Sequence, residues 1–129
     1  MSTDAITLQI PPAKQFHGVA RLVVGGLAAR LDLSYEHLED LQLALATVLE
    51  NGYAAGADVT VQLAVNPGSV AMAIGPLAPD RLRADLEEGA GDGIPLHRLL
   101  STLVDVVEHE PGEGGEWLRL EKRAPMKHP

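Results

Sequence analysis

A chain of 129 residues, 46% of them hydrophobic, is long enough to bury one core without staples, and the absence of cysteine excludes a disulfide framework and thiol chemistry. Against 18 Asp and Glu it carries only 10 Lys and Arg, a formal net charge of -8, so a phosphate backbone is not the expected partner and a protein or small molecule is. No apolar run approaches the roughly 20 residues of a membrane span, and the polar start MSTDA lacks the regions of a signal peptide, so the expectation is a cytoplasmic, membrane-free single domain over residues 1–129.

Taken in chain order, Ile6, Leu8 and Ile10 alternate with Thr7 and Gln9, which predicts a half-buried strand closed by Pro11 and Pro12. From Ala13 to Leu31 the apolar residues Phe16, Val19, Leu22, Val23, Leu27 and Leu31 take helical spacing, with Gly25 and Gly26 as a place where another element can come close. A short connection leads to the most regular stretch, Ser34 to Gly56. There Leu38, Leu41, Leu45, Val48 and Leu49 share one helix face, Ser34 is a good N-cap, and Glu36, Glu39 and Asp40 place negative charge near the positive end of the helix dipole.

The period then changes to two. Val59, Val61, Leu63 and Val65 point one way, and beyond Asn66-Pro67-Gly68 come Val70, Met72 and Ile74, predicting a β-hairpin with an apolar face. Periodicity fails over residues 76–95, rich in proline and glycine, which reads as a long lid-like loop with a helical turn or two near Arg81 to Glu88. Leu96, Leu99, Leu100, Leu103, Val104 and Val107 restore a helical face. Trp117 to Lys122 gives a last strand with Leu118 and Leu120 on one side, Trp117 reads as an edge-strand packing residue, and the tail 124–129 is expected to fray. The five histidines show no metal-ligand spacing and read as surface residues. Half-apolar strands need a single cover, so the expected class is α+β, a two-layer sandwich with a mixed or antiparallel sheet covered on one face by helices.

The phrases LEDLQLALATVLENGYAAG, LLSTLVDVVE and GGEWLRLEKR, with the order of the elements, make nearly the whole chain resemble the anti-sigma-factor serine kinases of the sporulation and stress-response type. These belong to the superfamily of histidine kinase, Hsp90, gyrase and MutL ATPases. The resemblance implies that ATP and Mg²⁺ lie between sheet and helices under a mobile lid. It also implies phosphorylation of a serine on an antagonist, capture of a sigma factor, and a homodimer. Carried over by residue, it makes Asn51 the metal residue and Asn51, Gly75, Gly91 and Gly93 the residues of the nucleotide site.

Departures from the family pattern are specific. The helix box has a Glu four residues before its Asn, and here that position is Thr47, which cannot serve as a carboxylate base near neutral pH. The second box, Asp-x-Gly-x-Gly, falls on Ala73 to Leu77, so the adenine-reading carboxylate is Ala73 and the second glycine is Leu77. In the Gly-rich phosphate turn, Asp92 between Gly91 and Gly93 would repel a triphosphate and Pro95 has no amide to donate. Read without the family, Asn51-Gly52 is also an ordinary helix end and Gly75-Pro76 an ordinary turn. The sequence therefore points to a regulator of the anti-sigma type that binds a sigma factor or its antagonist, with degenerate ATP chemistry and no assigned catalytic residue. An active anti-sigma serine kinase and a small-molecule sensor are the alternatives.

Overall fold

The computed structural model describes residues 4–11, 13–30, 35–50, 58–66, 68–87 and 96–123. Strand β1 (Asp4–Ile10) leads through a 3-10 turn (Lys14–Phe16) into helix α1 (His17–Arg30), and α2 (Tyr35–Glu50) follows. Next come β2 (Val59–Asn66), β3 (Ser69–Leu77), α3 (Pro79–Glu87), α4 (Leu96–Leu103), β4 (Val106–Gly112) and β5 (Gly115–Arg123). The strands form one antiparallel sheet in the order β1-β2-β3-β5-β4, with β1 and β4 at its edges. Helices cover one face, as expected of an α+β two-layer sandwich, and the sheet is antiparallel throughout.

Period-two patterning decides which side of the sheet each residue serves. Val59, Val61 and Leu63 of β2, Val70, Met72 and Ile74 of β3, and Leu118 and Leu120 of β5 are buried under the helices. They meet Leu41, Ala44, Leu45, Val48 and Leu49 of α2, the face expected from the sequence. Asn66 pairs with Ser69 across the hairpin, and Gly68 takes the positive φ of 82° that such a turn requires.

Three elements differ from the sequence expectation. Among the described residues of α1 the buried ones are Ala20 and Val24, whereas Val19 and Leu22, expected on the apolar face, are 46% and 76% exposed. Small residues win because α1 lies close against α2: Gln42 Nε2 donates to Arg21 O at 3.0 Å and occupies the space a side chain at Gly25 would need. The expected close approach at Gly25 is thus present. Second, β3 continues to Leu77, shifting register after Ile74 where the Gly75–Pro76 peptide is cis. The expected loop then opens with a nine-residue helix, α3, started by Pro79 at its first position and Asp80 in its first turn.

Third, the last helix stops at Leu103. Val104 N still donates to Leu100 O, but Asp105 N donates to Glu121 O and Asp105 Oδ2 accepts from Arg123 N, which starts the β4–β5 ladder. Val107, expected on the helix, is the first helix-facing residue of β4, and β5 becomes an interior strand. Trp117 is therefore not on an edge strand. Lys122 joins the layers by donating to Asp40 Oδ2 on α2 at 2.9 Å and to Leu103 O on α4 at 2.8 Å.

Leu45 is fully buried between α2 and the sheet. Leu45→Ala should lower the unfolding free energy by about 2–5 kcal/mol, read from the midpoint of urea denaturation with an unchanged slope. A loss under about 1 kcal/mol would show that α2 does not anchor the core.

Candidate functional site

Of the residues the family resemblance assigns to nucleotide, Asn51, Gly91 and Gly93 lie outside the described residues, as do Asp92 and Pro95. Thr47 is described, on α2, where its hydroxyl donates to Leu43 O at 2.8 Å, the back-bond of a threonine inside a helix. Gly75 sits in β3, and a side chain there would run into the Trp117 indole. Packing of Trp117 thus gives Gly75 a reason to be glycine that involves no nucleotide.

The pleat sets the direction in which the residues of the second box point. Ala73 pairs with Gln62 and Arg119, whose side chains are exposed on the uncovered face, so a carboxylate at that position would point away from the helices. The helix-facing residues of β3 are Val70, Met72, Ile74 and Leu77, all buried and all apolar. β3 therefore carries no carboxylate on the helix side, and Leu77 is buried in the core.

A helix-facing carboxylate does exist on the neighbouring strand. Glu116 of β5, opposite Leu77 in register, is 1% exposed, and it was not singled out by any sequence motif. Arg83 of α3 holds it with Nη2 2.9 Å from Oε1 and Nε 3.4 Å from Oε2, and His109 Nδ1 of β4 lies 2.6 Å from Oε2. Hydrogen bonds from Arg83 and then His109 hold the Glu116 carboxyl below its ordinary value of 4.5, against the opposing effect of burial. His109, expected at the surface, is half-buried in this cluster. The only sequence trace of it is the alternation of Val107 and His109 with Glu108 and Glu110, broken because the inward position is polar. Mechanically the cluster fastens α3, the first part of the expected lid, to the two strands at one end of the sheet.

Comparison with known proteins bears on this geometry directly. No protein-family model matches the chain. It is 27% identical over 131 residues to a serine-protein kinase RsbW of Halalkalibacterium halodurans, an alignment covering 86% of this chain and 78% of the relative. To RsbW of Bacillus licheniformis it is 27% identical over 135 residues, covering 88% and 82%. Over most of its length the chain is thus similar to RsbW serine-protein kinases. Its fold matches a crystal structure of the RsbU and RsbW domains of Rv1364c from Mycobacterium tuberculosis with a TM-score of 0.69 at 15% identity. That match covers 98% of this chain but only 34% of the longer one. The RsbW homology agrees with the anti-sigma kinase resemblance and with the α+β class.

Thr47 has no carboxylate to offer, β3 is apolar toward the helices, and Glu116 is already engaged by Arg83 and His109. Among the described residues no group of three His, Asp or Glu side chains is placed to hold a metal ion. No described helix is long and apolar enough to cross a membrane.

Glu116 makes the cluster testable through pH. Its folded-state pKa lies below its unfolded value, so its contribution is complete above pH 4.5 and is lost as pH falls below 4.5 through the folded value. Glu116→Gln should cost about 1–3 kcal/mol at neutral pH, softened because Arg83 can reach water. The melting-temperature gap between the two proteins should close progressively below pH 4.5. A gap independent of pH would show that the ion pair does not hold α3 to the sheet.

Proposed function

We propose that this chain is a regulator of the anti-sigma type that works by holding a protein partner, a sigma factor or the antagonist of one, and that it no longer transfers phosphate. The observation that carries this reading is the helix-facing side of β3. There Ile74 and Leu77 are buried apolar core beside Ala73, and by resemblance Ala73 and Leu77 stand where the family has an adenine-reading carboxylate and a backbone-approach glycine. Thr47 in place of the base supports it, because a hydroxyl bound to Leu43 O cannot accept a proton from a substrate serine near neutral pH. A domain that keeps the full RsbW fold while losing these groups keeps what the fold does apart from the chemistry. By family that is a complex with a regulator, or a dimer. The net charge of -8 speeds encounter with a basic partner, and this steering weakens as salt rises.

An active serine kinase is the second reading, favoured by the kinase names of relatives aligned over 86% and 88% of this chain. Under it, Asn51 holds Mg²⁺, while Gly91 and Gly93 supply backbone amides to the phosphates.

Calorimetry with Mg-ATP separates the two readings. Losing a buried hydrogen bond to a ligand costs about 1–3 kcal/mol, or one to two decades of affinity, so binding should be weak or undetectable. A dissociation constant in the low micromolar range would favour the kinase. Radiolabelled ATP should likewise give no transfer to a serine-bearing antagonist. Transfer abolished by Asn51→Ala would overturn the proposal.

A further inference from the structure

The two edges of the sheet are not alike. Edge strand β4 carries Glu108, Glu110 and Pro111, two charges and a residue without an amide, which discourage another strand from pairing with it. Edge strand β1 has no such device: its residues 5–10, Ala-Ile-Thr-Leu-Gln-Ile, hold no charge, no proline and no glycine. It pairs with β2 in unbroken register from Asp4↔Val65 to Ile10↔Val59, and among the described residues no strand lies beyond it. On an edge strand every second residue turns its N–H and C=O away from the sheet, so β1 presents a regular row of backbone donors and acceptors.

The side chains of β1 define which strand would fit. Ile6, Leu8 and Ile10 stand opposite Leu63, Val61 and Val59, hence on the helix side. Cover over them thins along the strand: Ile10 is 3% exposed, Leu8 is partly buried against the core, and Ile6 is 37% exposed. On the other side Ala5, Thr7 and Gln9 are exposed. A strand laid beside β1 would put aliphatic residues against Ile6 and Leu8 and polar ones beside Thr7 and Gln9. Charge chooses between occupants. Two copies of this chain, each of net charge -8, repel one another, whereas a cationic segment is drawn in, and the exposed Asp58 lies one residue beyond the ladder at the Ile10 end.

We propose that β1 is a pairing edge that takes an extended segment of a partner protein as a sixth strand, the segment alternating aliphatic and polar residues and flanked by Lys or Arg. The inference rests on the protein-binding reading above and names the surface that would serve it. Main-chain hydrogen bonds give the affinity, and the alternation decides which side of the segment meets Ile6 and Leu8.

Amide hydrogen exchange of the intact chain reads the edge directly, with the blocked peptide Lys-Val-Thr-Val-Thr-Val-Lys as probe. The peptide should slow exchange about tenfold or more at alternate amides of β1 and leave those of β4 unchanged. A copy N-methylated at every residue should have no effect, and a copy with Glu in place of Lys a weaker one. Ile6→Lys puts a charge on the edge and should weaken the peptide about three- to tenfold; Thr7→Lys, at an exposed position, should do the same without moving the melting temperature. No slowing on β1, equal slowing on β4, or an undiminished effect with the N-methylated peptide or in Thr7→Lys would overturn the proposal. So would protection of β1 that rises with the chain's own concentration in the absence of peptide, which would give the edge to a second copy. A complex with a sigma factor that leaves the β1 amides unprotected would refute this surface and leave protein binding standing. Protection by the peptide without any partner complex would do the reverse.

Discussion

The sheet has helices on one side only, so every strand residue belongs either to the core or to the open face, and a shift of one position exchanges the two. On β5 this constraint sends Glu116, Leu118, Leu120 and Lys122 toward the helices and Trp117, Arg119 and Glu121 away from them. The inward set ties the layers together, Glu116 to α3 through Arg83 and Lys122 to α2 and α4. In the outward set, Trp117 packs against the glycine positions Gly75 of β3 and Gly112 of β4. Neighbouring β3 keeps the alternation as far as Gly75, which leaves Ala73 and Gly75 on the open face, Gly75 against Trp117, before the register shifts ahead of Leu77.

Buried polarity at one end of the sheet gives the cluster its specificity. A carboxylate that is 1% exposed is costly unless it is fully hydrogen-bonded, and Glu116 has partners from two elements far apart in sequence, α3 and β4. Opening of α3 would strip Arg83 from it, so the helix at the base of the expected lid is held by a charge pair and not by apolar packing alone. The RsbW homologues make the fold unsurprising, and the charge pair is what this chain shows of how it keeps that fold shut.

Much of the fold was legible in the sequence because long periodic stretches report burial directly. The α2 face from Leu41 to Leu49, the β2–β3 hairpin and the inward pair Leu118 and Leu120 all appear as read. Misreadings came where two patterns overlap. Of the expected apolar face before α2, Phe16 packs on the core but Val19 and Leu22 are exposed, while Ala20 and Val24 are buried and Gln42 lies over Gly25. Val104 and Val107 fit the helical spacing of α4 and hid β4, since its other inward residue is His109. Of the candidate site, the Arg83–Glu116–His109 cluster was not legible, because its members come from three separate elements and obey no motif.

The central claim is that an RsbW-type fold here serves protein binding without nucleotide chemistry. The most direct test is the mass in solution, by light scattering, of the purified chain mixed with a sigma factor in the presence of a chelator and without ATP. The account predicts a stable complex whose mass and yield stay the same when Mg-ATP is added. A complex that forms only with Mg-ATP, or a chain that stays strictly monomeric while a metabolite raises its melting temperature, would contradict it.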